Sequence, residues 1–226
     1  MSAPDIKELE RRLDAARELV ERATVAVRGK LGRAALDDYK RSLQIRLAAE
    51  RELAVARGEP ACMPLAWQPL WSPGAPRPHV VAGSKSYLLY MVHEPDPTWD
   101  GTTSRMVDPS GDRKERIAVV EFRRCYAHRF GGPNDEVWAG HPLYGKGLDF
   151  YRAHVIVNSP WIAAERATNE VHPQFRRETW ERRQHYLLLF HDQVFECLAA
   201  TYVVEETVAS FGEVLQQLAA RVVDRA

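Results

Sequence analysis

Apolar residues recur at strict three- and four-residue intervals from the start of the chain, at Ile6, Leu9, Leu13, Ala16, Val20, Ala23 and Val27. This spacing is an a/d seam and predicts a helix with one apolar stripe. Ser2 and Asp5 have capping-box spacing with Pro4 in the first turn, and Gly29-Lys30-Leu31-Gly32 stops the helix and turns the chain. A second helix is predicted over 34–56, carrying Leu36, Tyr39, Leu43, Leu47 and Ala54 and ending at Gly58 and Pro60. Its seam is less regular, because Arg46 and Glu50 stand where a clean heptad is apolar. Two arms of about 35 Å each form an antiparallel hairpin that buries one stripe and leaves a second face for a partner or the main domain. Residues 1–58 are therefore expected to form a coiled-coil-like helical hairpin.

From 59 to 78 the pattern breaks, with prolines at 60, 64, 69, 73, 76 and 78 alternating with Trp67 and Trp71. This reads as an extended Pro/Trp-rich connector strapped onto the protein's own surface. Residues 79–226 then alternate strand-like runs with turns. Strands are expected at 80–82, 87–92, 117–126, 150–157, 186–190 and 194–204, all rich in β-branched and aromatic residues. Ser159-Pro160 opens a helix with Ser159 as N-cap, and Ser210 to Glu213 forms a capping box before a final helix. The fold class is α+β: an N-terminal antiparallel helical hairpin, then a mainly antiparallel β-sheet domain (79–226) with two or three packed helices. Two long loops interrupt it near 93–114, with a turn at Asp108-Pro109-Ser110-Gly111, and near 130–149.

Composition narrows the classes. At 226 residues the chain holds one main core, and 45% hydrophobic with 27% charged residues excludes wholesale disorder. Thirty-one Lys and Arg balance thirty-one Asp and Glu, so no net field draws the protein to nucleic acid or anionic lipid. Arg182 and Arg183 beside Trp180 are the nearest approach to a basic aromatic patch, and Glu178 and Glu181 interrupt it. No apolar run is long enough to span a bilayer, and the acidic start resembles neither signal nor transit peptide. A cytoplasmic location is expected, and the preference for Arg over Lys suggests a high-GC bacterium. Cys62, Cys125 and Cys197 form no CxxC pair, which argues against a disulfide framework.

All eight histidines lie after residue 78, so imidazole chemistry belongs to the β-rich part. With a two-residue turn at Asp192-Gln193, Leu189 opposes Glu196 and His191 opposes Val194. Alternation then places His185, Leu187, Leu189, His191 and Glu196 on one face. His141, His191 and Glu196 are the candidate catalytic residues, as base, orienting partner or metal ligand, with His154 as a further contributor. Gly140, Tyr144, Lys146, His154 and Asn158 are candidate ligand-binding residues around a glycine-flanked loop. No motif identifies a cofactor or a particular metal: HExxH, GxGxxG and GxxxxGK[ST] are all absent.

The functional expectation is a non-catalytic bacterial assembly or regulatory protein. It would act as a homodimer, or on another protein, through residues 1–58, with Leu9, Leu13, Val20 and Val27 as the interaction residues. Exchange of Leu13 and Val20 for Asp is the expected way to dissociate it. The alternative is a small-molecule hydrolase or isomerase, metal-dependent or metal-free, with a His/Glu site on the α+β domain.

Overall fold

The computed structural model describes residues 5–29, 32–95 and 113–223. Ser2 and Pro4 of the expected cap, the Lys30-Leu31 part of the helix stop and the turn at 108–111 lie outside them. Helices α1 (Ile6–Gly29) and α2 (Arg33–Ala56) form the expected antiparallel hairpin. Leu9, Leu13 and Ala16 pack on Ala49 and Leu53 at its base, while Val20, Ala23 and Val27 are only half-buried toward its tip. The seam is thus a closed core in its first half alone.

Behind the hairpin stand β1 (Ala61–Pro64), β2 (His79–Ala82), β3 (Ser86–Met91), β4 (Glu115–Arg123), β5 (Ala127–Gly131), β6 (Ala153–Val157), β7 (Gln184–Leu189), β8 (Val194–Ala199) and β9 (Thr201–Ala209). They form two antiparallel sheets, ordered β1-β6-β7-β8-β5 and β2-β3-β4-β9. The runs 117–126 and 194–204, each expected as one strand, are divided between the sheets. After β4 the chain bends through Arg124, whose φ is 53°, and resumes as β5; β8 and β9 are separated by Ala200 alone. The two corners lie side by side, tied by Ala200 N–H to Arg123 O at 3.1 Å and Tyr126 N–H to Leu198 O at 2.8 Å. One long two-stranded ribbon folds over and serves both sheets, as in sheet packings where strands switch layers at a bend.

The inner faces meet through Leu88, Tyr90, Val120 and Phe122 of the second sheet and Tyr186, Leu188, Phe195 and Cys197 of the first. Trp67 and Trp71 are buried among them, so the connector supplies part of the core rather than a surface strap, and its residues 61–64 are β1. Trp67 Nε1 donates to the Tyr90 hydroxyl at 2.8 Å, and that hydroxyl donates to Pro69 O at 2.7 Å. Both indole and phenol are thereby satisfied where water is excluded.

Each outer face is also covered. The C-terminal helix (Phe211–Val223) lays Phe211, Val214 and Leu218 on the second sheet, and its reciprocal Ser210–Glu213 capping box forms as the sequence predicts. On the first sheet Cys62, Ile156, Leu187, Leu189 and Val194 lie beneath Trp138, Leu143 and Leu148 of the long loop after β5. That cover does not reach the whole face, and the uncovered end holds the site.

Candidate functional site

Helix α3 (Pro160–Asn169) begins at Ser159, whose Oγ accepts the Ile162 amide at 3.2 Å; Pro160 occupies the first turn, where no N–H is needed. The same Oγ lies 2.9 Å from His185 Nδ1, and His185 Nε2 lies 2.8 Å from Glu196 Oε2. An ionised Glu196 requires the donor at Nε2–H, and in the neutral ring Nδ1 then accepts from the Ser159 hydroxyl. The series runs Ser159 O–H to His185, then His185 N–H to Glu196.

The β7–β8 register explains the pairing. Phe190 N–H bonds Gln193 O, and Leu189 opposes Val194, so Glu196 stands opposite Leu187 rather than Leu189. Relative to a two-residue turn this is a slip of two positions. An even slip leaves His185, Leu187, Leu189 and Glu196 on one face but moves Glu196 away from His191 and toward His185.

His185 and Glu196 line a pocket of about 720 Å³ with His141, Arg129, Lys146 and Trp161; Val137, Pro142, Leu143 and Ile156 supply apolar wall. Burial works to raise the Glu196 carboxyl, but the His185 hydrogen bond and the charges of His185, Arg129 and His141 outweigh it, and its pKa falls below the ordinary value. His141 Nδ1 accepts the Leu143 amide at 3.2 Å, which leaves the proton of the neutral ring on Nε2. Burial lowers its pKa, with the His185 charge adding to that and Glu196 opposing it. At neutral pH the pocket therefore holds a carboxylate and an uncharged imidazole donor. Arg129, directly opposite Glu196 on β5, lies with its Cζ 4.0 Å over the Trp161 ring.

The loop that closes one side of this pocket hangs on α2. Glu50, only 6% exposed, accepts the Gly147 amide at 3.2 Å and pairs with Arg46 at 3.3 Å; Arg51 donates to Gly147 O at 3.4 Å. The polar residues that interrupt the α2 seam are thus the loop's anchor. Lys146 O accepts the Cys62 amide at 2.9 Å, and Lys146 Nζ pairs with Glu59 at 3.2 Å.

Of the residues proposed from the sequence, His141, Glu196, Gly140 and Lys146 meet at this pocket. His191 does not: it sits half-exposed at the β7–β8 turn, bonded to Asp192 at 2.8 Å and 3.6 Å from Asp135, with its pKa raised by the Asp192 hydrogen bond. His154 is fully buried, its Nε2 accepts the Asp149 amide at 3.2 Å, and burial pushes its pKa down to about 3. Asn158 adopts φ 51° and donates to Glu59 O at 3.1 Å, and Tyr144 is exposed outside the pocket. Leu9 and Leu13 are buried within their own hairpin, with Val20 and Val27 half-buried. Trp180 is buried beneath Arg183, which stacks on it at 4.1 Å, so it presents no open platform for a base.

His185 as the partner of Glu196, Ser159 behind it, and Arg129 with Trp161 are additions from the structure. Ser159 is legible from the sequence as a helix cap, and nothing local signals that its hydroxyl also reaches a histidine. Among the described residues no group of three or more His, Cys, Asp or Glu side chains is placed to hold a metal ion. A larger cleft, about 980 Å³ between Leu43 and Gln44 of α2 and Trp67, Trp71 and Phe150, has no hydrogen-bonded histidine–carboxylate pair on its walls among the described residues. The smaller pocket has what acid–base chemistry needs: a fixed carboxylate, a neutral donor and a cation around one volume. Comparison with protein-family models, with curated proteins and with solved structures returns no significant match.

Proposed function

We propose that the chain is an enzyme acting on a small organic molecule, a hydrolase or isomerase in which Glu196 is the general base. The observation that supports this is the Ser159–His185–Glu196 series: His185 and Glu196 reach the pocket, while Ser159 lies behind the ring. A serine nucleophile would need its hydroxyl on the substrate side; here the hydroxyl holds the histidine. Glu196 takes a proton from a carbon acid or a water on Oε1, while His185 N–H holds Oε2. His141 Nε2–H donates to the oxygen on which negative charge develops.

The test is proton NMR in D₂O with a panel of ketones, esters and lactones, following C–H exchange and hydrolysis together. Turnover by the native protein, reduced at least about 100-fold in Glu196→Gln, is expected from the usual contribution of a general base. A panel left unchanged by the native protein overturns the catalytic reading.

A second reading, association through the hairpin, is supported by apolar side chains that face solvent on it: Leu19, Val25, Ile45 and Val55. Sedimentation velocity should then show a concentration-dependent dimer that Val25→Asp with Ile45→Asp dissociates. A monomer at every concentration removes it.

A further inference from the structure

We infer that the pocket selects a small organic carboxylate, whose carboxylate group is held by Arg129 while its apolar body lies along Pro142, Leu143 and Ile156. The inference rests on the pocket proposed above as the site of chemistry. Three charged side chains, Glu196, Lys146 and Arg129, face this volume, and two already have a polar partner within reach: Glu196 bonds His185 at 2.8 Å, and Lys146 pairs with Glu59 at 3.2 Å. Arg129 is the third. It stands directly opposite Glu196 across the β5–β8 ladder, the position where an ion pair between strands is normal, yet the Glu196 carboxylate turns to the histidine instead. Among the described residues no carboxylate lies within ion-pair distance of Arg129; its partner is the face of Trp161.

The Trp161 ring covers one side of the Arg129 guanidinium, with Cζ 4.0 Å from the ring centre. A guanidinium offers planar pairs of N–H donors, a fork that matches a carboxylate. A single guanidinium matches a monoanion, and the surrounding wall of proline, leucine and isoleucine suits a hydrocarbon body rather than a polyphosphate or sugar. Trp161 also contacts the His185 ring edge-on, with centroids 5.3 Å apart, so the anchor and the base are braced by one indole. A carboxylate held by Arg129 therefore presents its adjoining carbons to Glu196.

The experiment titrates the native protein with phenylacetate and with its neutral isostere phenylacetamide, reading the Trp161 indole N–H by NMR and the affinity by calorimetry. Saturable phenylacetate binding that shifts Trp161 is expected, with phenylacetamide at least tenfold weaker. Arg129→Leu should weaken phenylacetate at least tenfold without affecting the amide, and Arg129→Lys should recover only part of the loss, since charge returns without the fork. Equal affinity for acid and amide overturns the inference, as does phenylacetate binding that survives Arg129→Leu or fails to shift Trp161. Displacement of phenylacetate by millimolar inorganic phosphate overturns it too, in favour of phosphate esters. Glu196→Gln separates the two claims: carboxylate binding retained in this variant, with no turnover by the native protein, leaves the anchor standing and the catalytic reading refuted.

Discussion

Glu196 stands opposite Leu187 on β7, yet its carboxylate bonds the ring of His185, two residues back on that strand, at 2.8 Å. Diagonal neighbours on a sheet are within reach of long side chains, but the choice of rotamer needs a cause. Ser159 supplies it by holding the other ring nitrogen at 2.9 Å from the start of α3. A helix cap and a histidine–carboxylate pair are coupled through one hydroxyl.

Ser159→Ala is therefore expected to do two separable things. Loss of the cap should cost about 1 kcal/mol, the usual effect of deleting an N-cap hydroxyl, measured by urea unfolding. Loss of the His185 bond should change the imidazole itself: nitrogen-15 spectra should show His185 held as the Nε2–H tautomer in the native protein and as a tautomer mixture in the variant. Ser159→Thr, which keeps the hydroxyl, should restore both. An unchanged His185 spectrum in Ser159→Ala would show that Glu196 alone sets the tautomer.

Gly147 joins the pocket loop to α2 at a place where a side chain has no room. Its φ is +82°, and an added Cβ would fall inside the Arg51 side chain. Left-handed backbone costs roughly 1–2 kcal/mol for an ordinary residue, so Gly147→Ala should lose at least that and the clash in addition. Shortening Arg51 to Ala in the same chain should recover the clash component only, and a double-mutant cycle by urea unfolding reads the two apart. Full recovery would mean that the backbone conformation carries no cost.

Acid should destabilise the fold earlier than carboxylate protonation alone accounts for. His154 and His141 both have folded pKa values below the ordinary 6.5, by burial first, and for His154 the value is about 3. The unfolded chain therefore binds protons that the folded chain refuses. For His154 stability is full above about pH 6.5 and declines as pH falls from there toward 3, by up to roughly 1.4 kcal/mol per pH unit; His141 acts in the same direction, with solvent screening reducing its share. Glu196, whose folded pKa is lowered, adds to the loss at the acidic end; the exposed His191 has the opposite sign and is screened by solvent. Melting temperature measured from pH 8 to 4 should fall through this window, and His154→Gln should flatten the fall. A melting temperature level down to pH 5 would contradict it.

Local signals account for much of the architecture. The α1 seam, the Ser159 cap with Pro160 and the Ser210–Glu213 box each act within a few residues, and each is where the sequence puts it. Arg124 and Ala200 show the limit: the runs around them look like continuous strands, because β-branched and aromatic residues mark a half-buried strand without saying which sheet owns it. The His185–Glu196 pair was half legible. Alternation fixes the shared face, whereas the partner depends on a four-residue rather than two-residue turn at Phe190–Gln193. Arg129 and Trp161 come together from β5 and α3, a contact no local pattern encodes.

The hairpin demands a different variant from the one its seam suggests. Leu13 is packed on the α2 residues Ala49 and Leu53, so an aspartate there buries an unpaired charge in the hairpin's own core. Leu13→Asp should cost several kcal/mol, of order 3–5, and lower the helical circular dichroism whether or not the protein associates. Because Glu50 of α2 holds the Gly147 amide, the damage should reach the pocket loop and shift the His141 resonances as well. Val25, 65% exposed, touches neither, and Val25→Asp should leave both stability and the His141 spectrum unchanged. A dimer dissociated by Val25→Asp would therefore report association alone. If Leu13→Asp keeps native helicity and an unperturbed His141, then the two helices do not depend on each other, and the coupling from hairpin to pocket through Glu50 is wrong.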